Sequence, residues 1–452
     1  MGATSCDVAV VGLGPGGEAT ASALALAGLS VVAVDEHLVG GECPYYGCIP
    51  SKMMIRAGDT LAEARRVPGL SGTVDLVPDW DVVARRISDE ATDAWDDRVA
   101  VERLERAGVR FVRGHGRLAG PRTVQVGEET VTASRGVVLN PGTSPAVPPI
   151  AGLAGTPYWT NRDLVRIEDV PESLVVVGGG AIGVEAAQAL ARFGTRVTVV
   201  EMADRLLAPE EPEASVLVEQ VFATEGIQVL TGASIGSVGY DEGRFAVSVD
   251  GQVVEAEKLL VAAGRRPNLV DLGLDTVGLD PGGREISTDE RMRAGDGLWA
   301  IGDVTGKGAF THVSMYQSAV CVRDVLGQDG PTSDYRAVPR VTFTDPEVGS
   351  VGLTERQARD AGLHVRTATT DLAASTRGWI ARAQGLVKLV EDGERGVLVG
   401  ATAIGPSGGE MLSMLATAVH AEVPTDTLRS MIFAYPTFHR AVETALADLA
   451  PS

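Results

Sequence analysis

The fold of this 452-residue chain is constrained most by a strand, a glycine turn, a helix and a strand that occur in that order twice. The first copy is CDVAVVGLGPGGEATASALALAGLSVVAVDEH, and the second is SLVVVGGGAIGVEAAQALARFGTRVTVVEMADRLL. Each turn fits G-x-G-x-x-G, whose glycines permit a tight turn, admit a diphosphate and let helix and strand approach closely. These glycines are Gly12, Gly14 and Gly17 in the first copy and Gly178, Gly180 and Gly183 in the second. Two such units predict a doubly wound α/β fold with two dinucleotides, as in a flavoprotein that also binds a nicotinamide.

Each unit ends in an acidic residue, Asp35 in the first and Glu201 in the second, where a carboxylate can accept hydrogen bonds from a ribose diol. A carboxylate at Glu201 favours the unmodified ribose and repels a 2'-phosphate, so NADH is predicted to be preferred over NADPH. Arg205 lies four residues further on and either blunts that preference or pairs with Asp204 or Glu201 at the surface. The alternative is that one of the two units is purely structural.

The overall charge excludes several classes of partner. The chain has 60 Asp and Glu residues against 39 Lys and Arg residues, a formal net charge of -21. Such a charge repels nucleic acid and anionic membranes, so neither is expected as a partner.

No uninterrupted apolar run approaches the length of a membrane span, and the N-terminus lacks a secretory pattern. Four cysteines make no disulfide framework, so a cytoplasmic location, where thiols stay reduced, is expected.

Two of the four cysteines, Cys43 and Cys48, lie in the glycine-flanked segment GGECPYYGCIPSK. At this spacing one distorted helical turn can bring the two sulfurs within disulfide reach. If Cys48 lies near a helix N-terminus, the dipole lowers its pKa and favours the thiolate that disulfide exchange requires. A zinc site is the functional alternative, but it needs about four ligands and the segment offers two, so no metal site is predicted. A buried pair without chemistry is the structural alternative.

The rest of the chain divides by its pattern. Residues 59–110 have the spacing of charged amphipathic helices, and residues 111–150 have that of short strands and turns. The segment GLWAIGDVTGKG predicts a strand whose glycine turn presents Asp303. From about residue 335, alternating segments such as AVPRVTFTDPEVGSVGLTE and then two helical segments predict a third domain.

The order and spacing of GGECPYYGCIPSK, the two glycine turns, AAGRRPN, AIGDVTG and TDPEVGSVGLTE resemble those of the pyridine nucleotide-disulfide oxidoreductases, most closely the dihydrolipoamide dehydrogenases. The resemblance covers nearly the whole chain. It implies FAD on the first unit, NAD(P)H on the second and a homodimer made by the C-terminal domain. The implied domains are an FAD-binding domain from residues 1–147 and 266–333, an NAD(P)-binding domain from residues 148–265, and an α+β dimerisation domain from residues 334–452.

The resemblance also implies roles for single residues. Cys43 and Cys48 would form the redox-active disulfide, with Cys48 the thiolate beside the flavin and Cys43 the thiol that exchanges with substrate. Lys52 and Glu185 match the ion pair that the family places near the flavin N5, and Asp303 matches the carboxylate that holds the ribityl chain of FAD. The structural alternatives are a surface lysine and a turn aspartate that satisfies its own backbone.

The segment MIFAYPTFHRAVETAL departs from the family pattern. Disulfide reductases of this family have a His there, supplied across the dimer as a base and oriented by a Glu five residues later, whereas this sequence has Tyr435 and Arg440. A phenol with a pKa of about 10 is a poor base at neutral pH, so Tyr435 is expected only to donate a hydrogen bond. His439, with Glu443 at i+4, is a candidate displaced base, and the alternative is a histidine on the helix surface.

The sequence therefore predicts an FAD-dependent, NADH-preferring dithiol-disulfide oxidoreductase that acts on a specialised small thiol or disulfide rather than on dihydrolipoamide. An active site completed across subunits would require the homodimer. One alternative is a diaphorase, transhydrogenase or metal-ion reductase, in which the flavin passes electrons to a non-thiol acceptor. Another is a non-catalytic scaffold that retains FAD, but nothing structural requires both cysteines and both glycine turns together. The sequence leaves the substrate and the direction of the reaction open.

Overall fold

A computed structural model describes residues 2–449 of the chain. Its strands are β1 Ala3–Val11, β2 Val31–Asp35, β3 Val109–Arg113, β4 Gly116–Gly120, β5 Thr123–Val126, β6 Glu129–Leu139, β7 Thr143–Pro145, β8 Ser173–Val177, β9 Arg196–Val200, β10 Gln228–Leu230, β11 Ile235–Asp241, β12 Arg244–Val249, β13 Gln252–Ala256, β14 Lys258–Val261, β15 Arg265–Pro267, β16 Arg293–Gly295, β17 Leu298–Ala300, β18 Pro339–Thr342, β19 Glu347–Gly352, β20 Val365–Asp371, β21 Leu386–Asp392 and β22 Val397–Gly405. Its α-helices are α1 Pro15–Leu26, α2 Glu42–Tyr46, α3 Cys48–Arg66, α4 Trp80–Arg85, α5 Arg98–Arg106, α6 Asn161–Leu164, α7 Ala181–Arg192, α8 Pro212–Thr224, α9 Thr311–Val325, α10 Glu355–Asp360, α11 Thr376–Ala381, α12 Gly408–His420, α13 Thr425–Arg429 and α14 His439–Asp448. A π-helical segment, Arg86–Ala91, continues α4, and short 3₁₀ turns span Val67–Gly69, Leu274–Val277 and Asp303–Thr305. Within residues 2–449, no helix combines the length and the apolar character needed to cross a bilayer.

The first sheet has the strand order β16-β17-β6-β1-β2-β3, with β4 and β5 forming an antiparallel extension on β6. Strands β17, β6, β1, β2 and β3 are mutually parallel, and β1 is almost fully buried from Val8 onwards because helices cover both faces of such a sheet. Strand β17 joins β6 through the pairs Leu298–Val137 and Ala300–Leu139. The sheet is therefore completed by a segment that follows the whole second domain in the sequence.

The second sheet, β10-β9-β8-β14, is parallel throughout and repeats the first glycine unit. In both units the third glycine is required by space: a Cβ on Gly17 would lie 2.0 Å from the Gly12 carbonyl oxygen, and one on Gly183 would lie 2.0 Å from that of Gly178. This close approach lets each helix begin directly after its strand. A three-stranded antiparallel sheet, β11-β12-β13, packs beside the second sheet, and the short pair β7-β15 lies where the chain enters and leaves this region.

The C-terminal part is a five-stranded antiparallel sheet in the order β18-β19-β22-β21-β20. Helices α12 and α14 pack on it and bury an apolar core that includes Leu389, Leu415 and Leu446. The α/β class predicted from the sequence is confirmed: two parallel βαβ units are followed by an antiparallel α+β part.

A buried arginine links the three parts. Arg192, in the last turn of α7, has only 3% of its side chain exposed, and it pairs with Asp59 of α3 at 2.5 Å, Glu225 at 2.7 Å and Asp345 at 2.9 Å. A buried guanidinium is tolerated only when its charge and N–H groups are satisfied, and here three carboxylates do so. This cluster holds the redox helix α3, the second glycine unit and the C-terminal part in one arrangement.

Candidate active site

One cavity of about 2540 Å³ joins the features that the sequence singles out. It is lined by both glycine turns, by Asp35, Glu201 and Asp303, and by the cysteine pair. Ligand pockets usually measure about 300–1,000 Å³, so this cavity has room for more than one ligand. Cys43, Cys48, Lys52 and Glu185 also line it.

The two acidic residues that end the βαβ units brace the glycine turns in the same way. Asp35 accepts hydrogen bonds from the amides of Leu13 at 2.6 Å and His37 at 2.7 Å, and burial raises its pKa while these amides oppose that rise. Glu201 accepts from the amides of Gly179 at 2.5 Å and Ala203 at 2.7 Å. Each carboxylate oxygen has a second lone pair and lies at the cavity, so both positions fit a ribose diol.

The glycine turns themselves fit dinucleotide diphosphates. Helices α1 and α7, each of 12 residues, begin at Gly14 and Gly180 with no side-chain cap on their first amides. A Cβ added to Gly180 would meet no protein atom within 4 Å, so that glycine borders open cavity space. Uncapped helix amides with space in front of them form an anion site. The residues present therefore fit FAD at the first turn and a nicotinamide dinucleotide at the second.

The hydrogen-bond partners of Arg205 differ from those in both alternatives that the sequence suggested. Its guanidinium donates to Ser215 Oγ at 2.8 Å and to the carbonyls of Ala208 at 2.6 Å and Glu210 at 2.9 Å, with a longer contact to Leu207. It pairs with neither Asp204 nor Glu201, and its donors are committed to the protein. The suggested surface ion pair is therefore wrong, and the side chain is not free to meet a 2'-phosphate.

Cys43 is the second residue of α2, and Cys48 begins α3 directly after Gly47. Cys48 is the first residue of the 19-residue helix α3, as expected for a thiolate at a helix N-terminus, and both cysteines are free thiols. Thr311 Oγ1 lies 3.5 Å from the Cys48 sulfur, and the Cys43 thiol is the neighbouring group with the largest effect on the Cys48 pKa. The hydrogen bond from Cys43, followed by those from Thr311 and the charge of Lys52, lowers the pKa of Cys48 to about 6 against the opposing effect of burial. The same hydrogen bond and burial raise the pKa of Cys43.

The two thiols therefore differ: their mutual interaction lowers the pKa of Cys48 and raises that of Cys43, which favours the thiolate at Cys48. This is the reduced state of the pair, and the disulfide implied by the resemblance stays a prediction. The resemblance assigns the same difference to the pair, with Cys48 as the thiolate and Cys43 as the thiol that exchanges with substrate.

Lys52 and Glu185 form an ion pair in the cavity wall. Lys52 lies one helical turn after Cys48, and its Nζ is 2.8 Å from Glu185 Oε2. The side chain of Glu185 is 7% exposed, and its second carboxylate oxygen accepts a hydrogen bond from the Phe343 amide at 2.9 Å. The Lys52 ammonium also lies 4.7 Å from the centre of the Phe343 ring. A lysine held this way by α7 and by the C-terminal part is not an ordinary surface lysine.

The Asp303 carboxylate is held by residues distant in the sequence rather than by its own backbone. Its carboxylate accepts a hydrogen bond from Thr143 Oγ1 at 2.6 Å, and Thr143 in turn accepts one from Arg265 Nε at 2.7 Å. The turn that carries Asp303 follows β17, and Thr143 and Arg265 belong to the pair β7-β15. The structure therefore places this carboxylate at the cavity with one side fixed and the other available.

Tyr435 and His439 lie away from this cavity in the single chain. Tyr435 is 66% exposed, and its hydroxyl is 3.4 Å from Thr376 Oγ1. Glu443 pairs with Arg440 at 2.5 Å rather than with His439, so the displaced His-Glu pair considered from the sequence does not form within this chain. Any contact of Tyr435 or His439 with the cysteines requires a second subunit, and their roles stay predictions.

The chain matches known proteins over nearly its whole length. Residues 6–318 match the family model described as pyridine nucleotide-disulphide oxidoreductase, and residues 338–446 match the model of the dimerisation domain of that family. The chain belongs to this family. It is 35% identical to a dihydrolipoyl dehydrogenase of Halobacterium salinarum (98% of this chain, 96% of that protein) and 34% identical to a mercuric reductase of Streptomyces lividans (98% and 96%).

Solved structures give the same assignment. The chain superposes on LpdA from Mycobacterium tuberculosis with a TM-score of 0.87 at 26% identity, covering 99% of this chain and 100% of that one. It superposes on the Cu(II) complex of the HOCl-induced flavoprotein disulfide reductase RclA from Escherichia coli with a TM-score of 0.86 at 26% identity, covering 99% of both. The protein is thus a class I pyridine nucleotide-disulfide oxidoreductase, an enzyme family that depends on FAD and NAD(P) and carries a dimerisation domain that implies a homodimer.

Sequence reasoning missed several residues at the cavity. Thr311 was not considered, although it opens helix α9 and contacts Cys48. Glu42 accepts a hydrogen bond from Arg162 Nε at 2.6 Å and lies 3.4 Å from Arg265. Only the position of Glu42 beside Cys43 could have signalled its importance, because its partners lie more than a hundred positions away along the chain.

Proposed function

We propose that this oxidoreductase uses NADH to keep the Cys43-Cys48 pair reduced and that the pair exchanges electrons with a small disulfide or dithiol. The observation that carries the proposal is the pair of free thiols Cys43 and Cys48, with Thr311 Oγ1 3.5 Å from the Cys48 sulfur, in the cavity that both glycine turns share. Bound FAD supplies the two-electron chemistry that connects the nicotinamide with the cysteine pair. In the reductive direction the balance is NADH + H⁺ + RSSR → NAD⁺ + 2 RSH.

The protein's own residues account for the exchange steps. Cys48 takes the proton of the Cys43 thiol through their hydrogen bond, and the Cys43 sulfur attacks one substrate sulfur, which breaks the substrate S–S bond. The leaving thiolate takes the proton from Cys48. The Cys48 thiolate then attacks Cys43 Sγ, releases the second substrate thiolate and closes the Cys43-Cys48 disulfide. The second substrate thiolate takes the proton from solvent that the overall balance contains. In this scheme Cys48 does the work of the missing histidine base.

Tyr435 is proposed to act from the partner subunit of the homodimer. Its hydroxyl cannot accept the exchange proton at neutral pH, because the pKa of a phenol is about 10. Its 66% exposure in the single chain leaves it free to donate a hydrogen bond to a substrate sulfur or oxygen across the interface. His439 is then a helix-surface residue whose base function is taken by Cys48.

The preference for NADH is supported by Glu201 and Arg205. Glu201 keeps a carboxylate at the end of β9, which repels a 2'-phosphate, and the Arg205 donors are committed to protein acceptors within α8 and the preceding loop. With no free cation contributed by Arg205, nothing at this position compensates the repulsion.

The proposal is tested by anaerobic titration of the purified holoenzyme with NADH and, separately, with a small dithiol. A long-wavelength absorbance band after two-electron reduction is expected, because the Cys48 thiolate then lies beside oxidised FAD. Cys48→Ser should keep FAD but lose the band and all disulfide turnover, whereas the matched control Cys6→Ser, remote from the cavity lining, should keep both. Disulfide turnover by Cys48→Ser would refute the proposal.

A second candidate is the reduction of a thiophilic metal ion. The departure at Tyr435 and Arg440 favours it, since the base that disulfide exchange usually uses is absent, and two adjacent sulfurs are soft ligands. Several relatives are named mercuric reductases. This candidate predicts NADH oxidation that depends on Hg(II) or Cu(II) in the absence of any disulfide, and no turnover with disulfides alone.

A further inference from the structure

Beside the cysteine loop, an arginine is held between two aromatic rings. The Arg166 guanidinium carbon lies 5.0 Å from the centre of the Tyr46 ring and 4.9 Å from that of Trp95. One of its amino groups donates to the Tyr46 hydroxyl at 3.1 Å. Tyr46 lies two residues before Cys48 and lines the same cavity as both cysteines. The clamp, defined as Tyr46, Trp95 and Arg166, is thus attached directly to the redox-active segment.

Trp95 reaches this position through an unusual backbone. The chain leaves the π-helical segment Arg86–Ala91, and then Asp93, Ala94 and Trp95 adopt left-handed φ angles of 48°, 53° and 59° in succession. For residues with a Cβ this conformation is unfavourable, and three such residues in succession are uncommon. The Trp95 indole N–H donates to the Tyr45 carbonyl at 3.0 Å, which fixes the ring against the cysteine loop. Strain of this kind persists only where the surrounding contacts hold it in place.

The charge of Arg166 is not neutralised by the protein. Its neighbour Arg162 also lies over the Tyr46 ring, at 5.2 Å, but it pairs with Glu42 at 2.5 Å. Among residues 2–449, the side-chain contacts of Arg166 are the Tyr46 hydroxyl and the two rings, with no carboxylate within 4.0 Å. The side chain is exposed at the surface of a chain with net charge -21. A guanidinium has five N–H donors, so most of its donors are unused.

We propose that the clamp binds an anionic group, a carboxylate or a phosphate, of the thiol or disulfide substrate. This inference rests on the proposed function, because it places the substrate's anion at Arg166, which does not itself line the cavity but is hydrogen-bonded to Tyr46, a lining residue two positions before Cys48. The two rings and the Tyr46 hydroxyl restrain the guanidinium, and its remaining N–H groups can donate to an oxyanion. The substrate is therefore a small acidic thiol or disulfide. Dihydrolipoamide is a neutral amide and would leave the clamp without a binding partner.

Steady-state kinetics of the holoenzyme test this with three disulfides. The probes are 5,5'-dithiobis(2-nitrobenzoate) for carboxylate, coenzyme A disulfide for phosphate and 2,2'-dithiodipyridine as the neutral control. Arg166→Gln should raise KM about tenfold or more for the anionic probe that fits, with kcat little changed and the neutral probe unaffected. Arg166→Lys, which keeps the charge but not the planar edge, should recover part of the loss. The charge-matched control Arg196→Gln removes an exposed arginine outside the cavity and should change none of these values.

A second measurement does not depend on turnover. In the reduced enzyme, the ratio of alkylation by anionic iodoacetate to that by neutral iodoacetamide is measured at Cys43 and Cys48 by peptide mass. The clamp should raise this ratio, and Arg166→Gln should lower it about tenfold while Arg196→Gln leaves it unchanged. An unchanged ratio, or an equal rise in KM for all three disulfides, would overturn the clamp as an anion site. Absence of any disulfide turnover in the unmodified enzyme, with the ratio still dependent on Arg166, would instead overturn the proposed function.

Discussion

The low pKa of Cys48 can be tested by removing the hydrogen bond that causes most of it. In the structure the Cys43 thiol is the largest single influence, while burial acts in the opposite direction and Thr311 and Lys52 give smaller help. Cys43→Ala removes the donor, whereas Cys43→Ser keeps a hydroxyl at the same place and serves as the matched control. Because a donor to a thiolate lowers its pKa, its loss must raise the pKa.

The expected size of the change is large. With a pKa of about 6, Cys48 is about nine-tenths ionised at pH 7. Without Cys43, burial becomes the largest remaining influence and raises the pKa, so the pKa is expected to return toward its ordinary value of 9.0. The thiolate fraction at pH 7 then falls to about one hundredth, since each pH unit changes it about tenfold.

The assay is the pH profile of Cys48 alkylation by iodoacetamide in the reduced enzyme, followed by the mass of the peptide that contains it. The inflection should rise by at least about one pH unit in Cys43→Ala, and by much less in Cys43→Ser. Thr311→Val and Lys52→Met should shift it upward by smaller amounts, with Thr311→Val the larger of the two. An inflection that Cys43→Ala leaves in place would refute the reasoning, as would an inflection near 9 in the unmodified enzyme.

Three other perturbations follow from the structure. Glu201→Ala should raise the ratio of kcat/KM for NADPH to that for NADH about tenfold or more, measured by initial rates, and an unchanged ratio would exclude Glu201 from ribose recognition. Arg192→Met should lower the free energy of unfolding by about 3–5 kcal/mol in urea titrations, because three carboxylates lose their buried partner; a loss below about 1 kcal/mol would contradict that account. Ile432→Asp should raise the dimer dissociation constant at least about a hundredfold in sedimentation equilibrium, because Ile432 is 98% exposed in the single chain and each buried copy contributes about 1.5–3 kcal/mol. An unchanged dissociation constant would place the interface elsewhere.

Features that depend on neighbouring residues were accessible from the sequence. The glycines, the acidic residue that ends each βαβ unit and the start of a helix at Cys48 are fixed by local geometry, so their spacing alone predicts where they lie. The order of motifs also indicated the family, which the comparisons confirm.

Features that depend on distant residues were not accessible. Arg205 was expected at the surface, but helix α8 presents Ser215 and the preceding loop presents carbonyls that take its donors. The sequence suggested that Glu443 pairs with His439, but Glu443 pairs with Arg440 instead, whose guanidinium is always charged. The contact of Trp95 with Arg166 joins residues 71 positions apart, and no local pattern predicts it.

The pairing of β17 with β6 affects how the chain folds while it is synthesised on the ribosome. The second sheet uses strands that all lie between Ser173 and Val261, and it can fold as soon as that stretch emerges. Strand β6 ends at Leu139, whereas its neighbour β17 begins at Leu298. At roughly 5–20 residues per second, about 8–30 s of translation separate the two strands. During that interval an apolar sheet edge is exposed, and this nascent amino-terminal half is the species that chaperones must shield from aggregation.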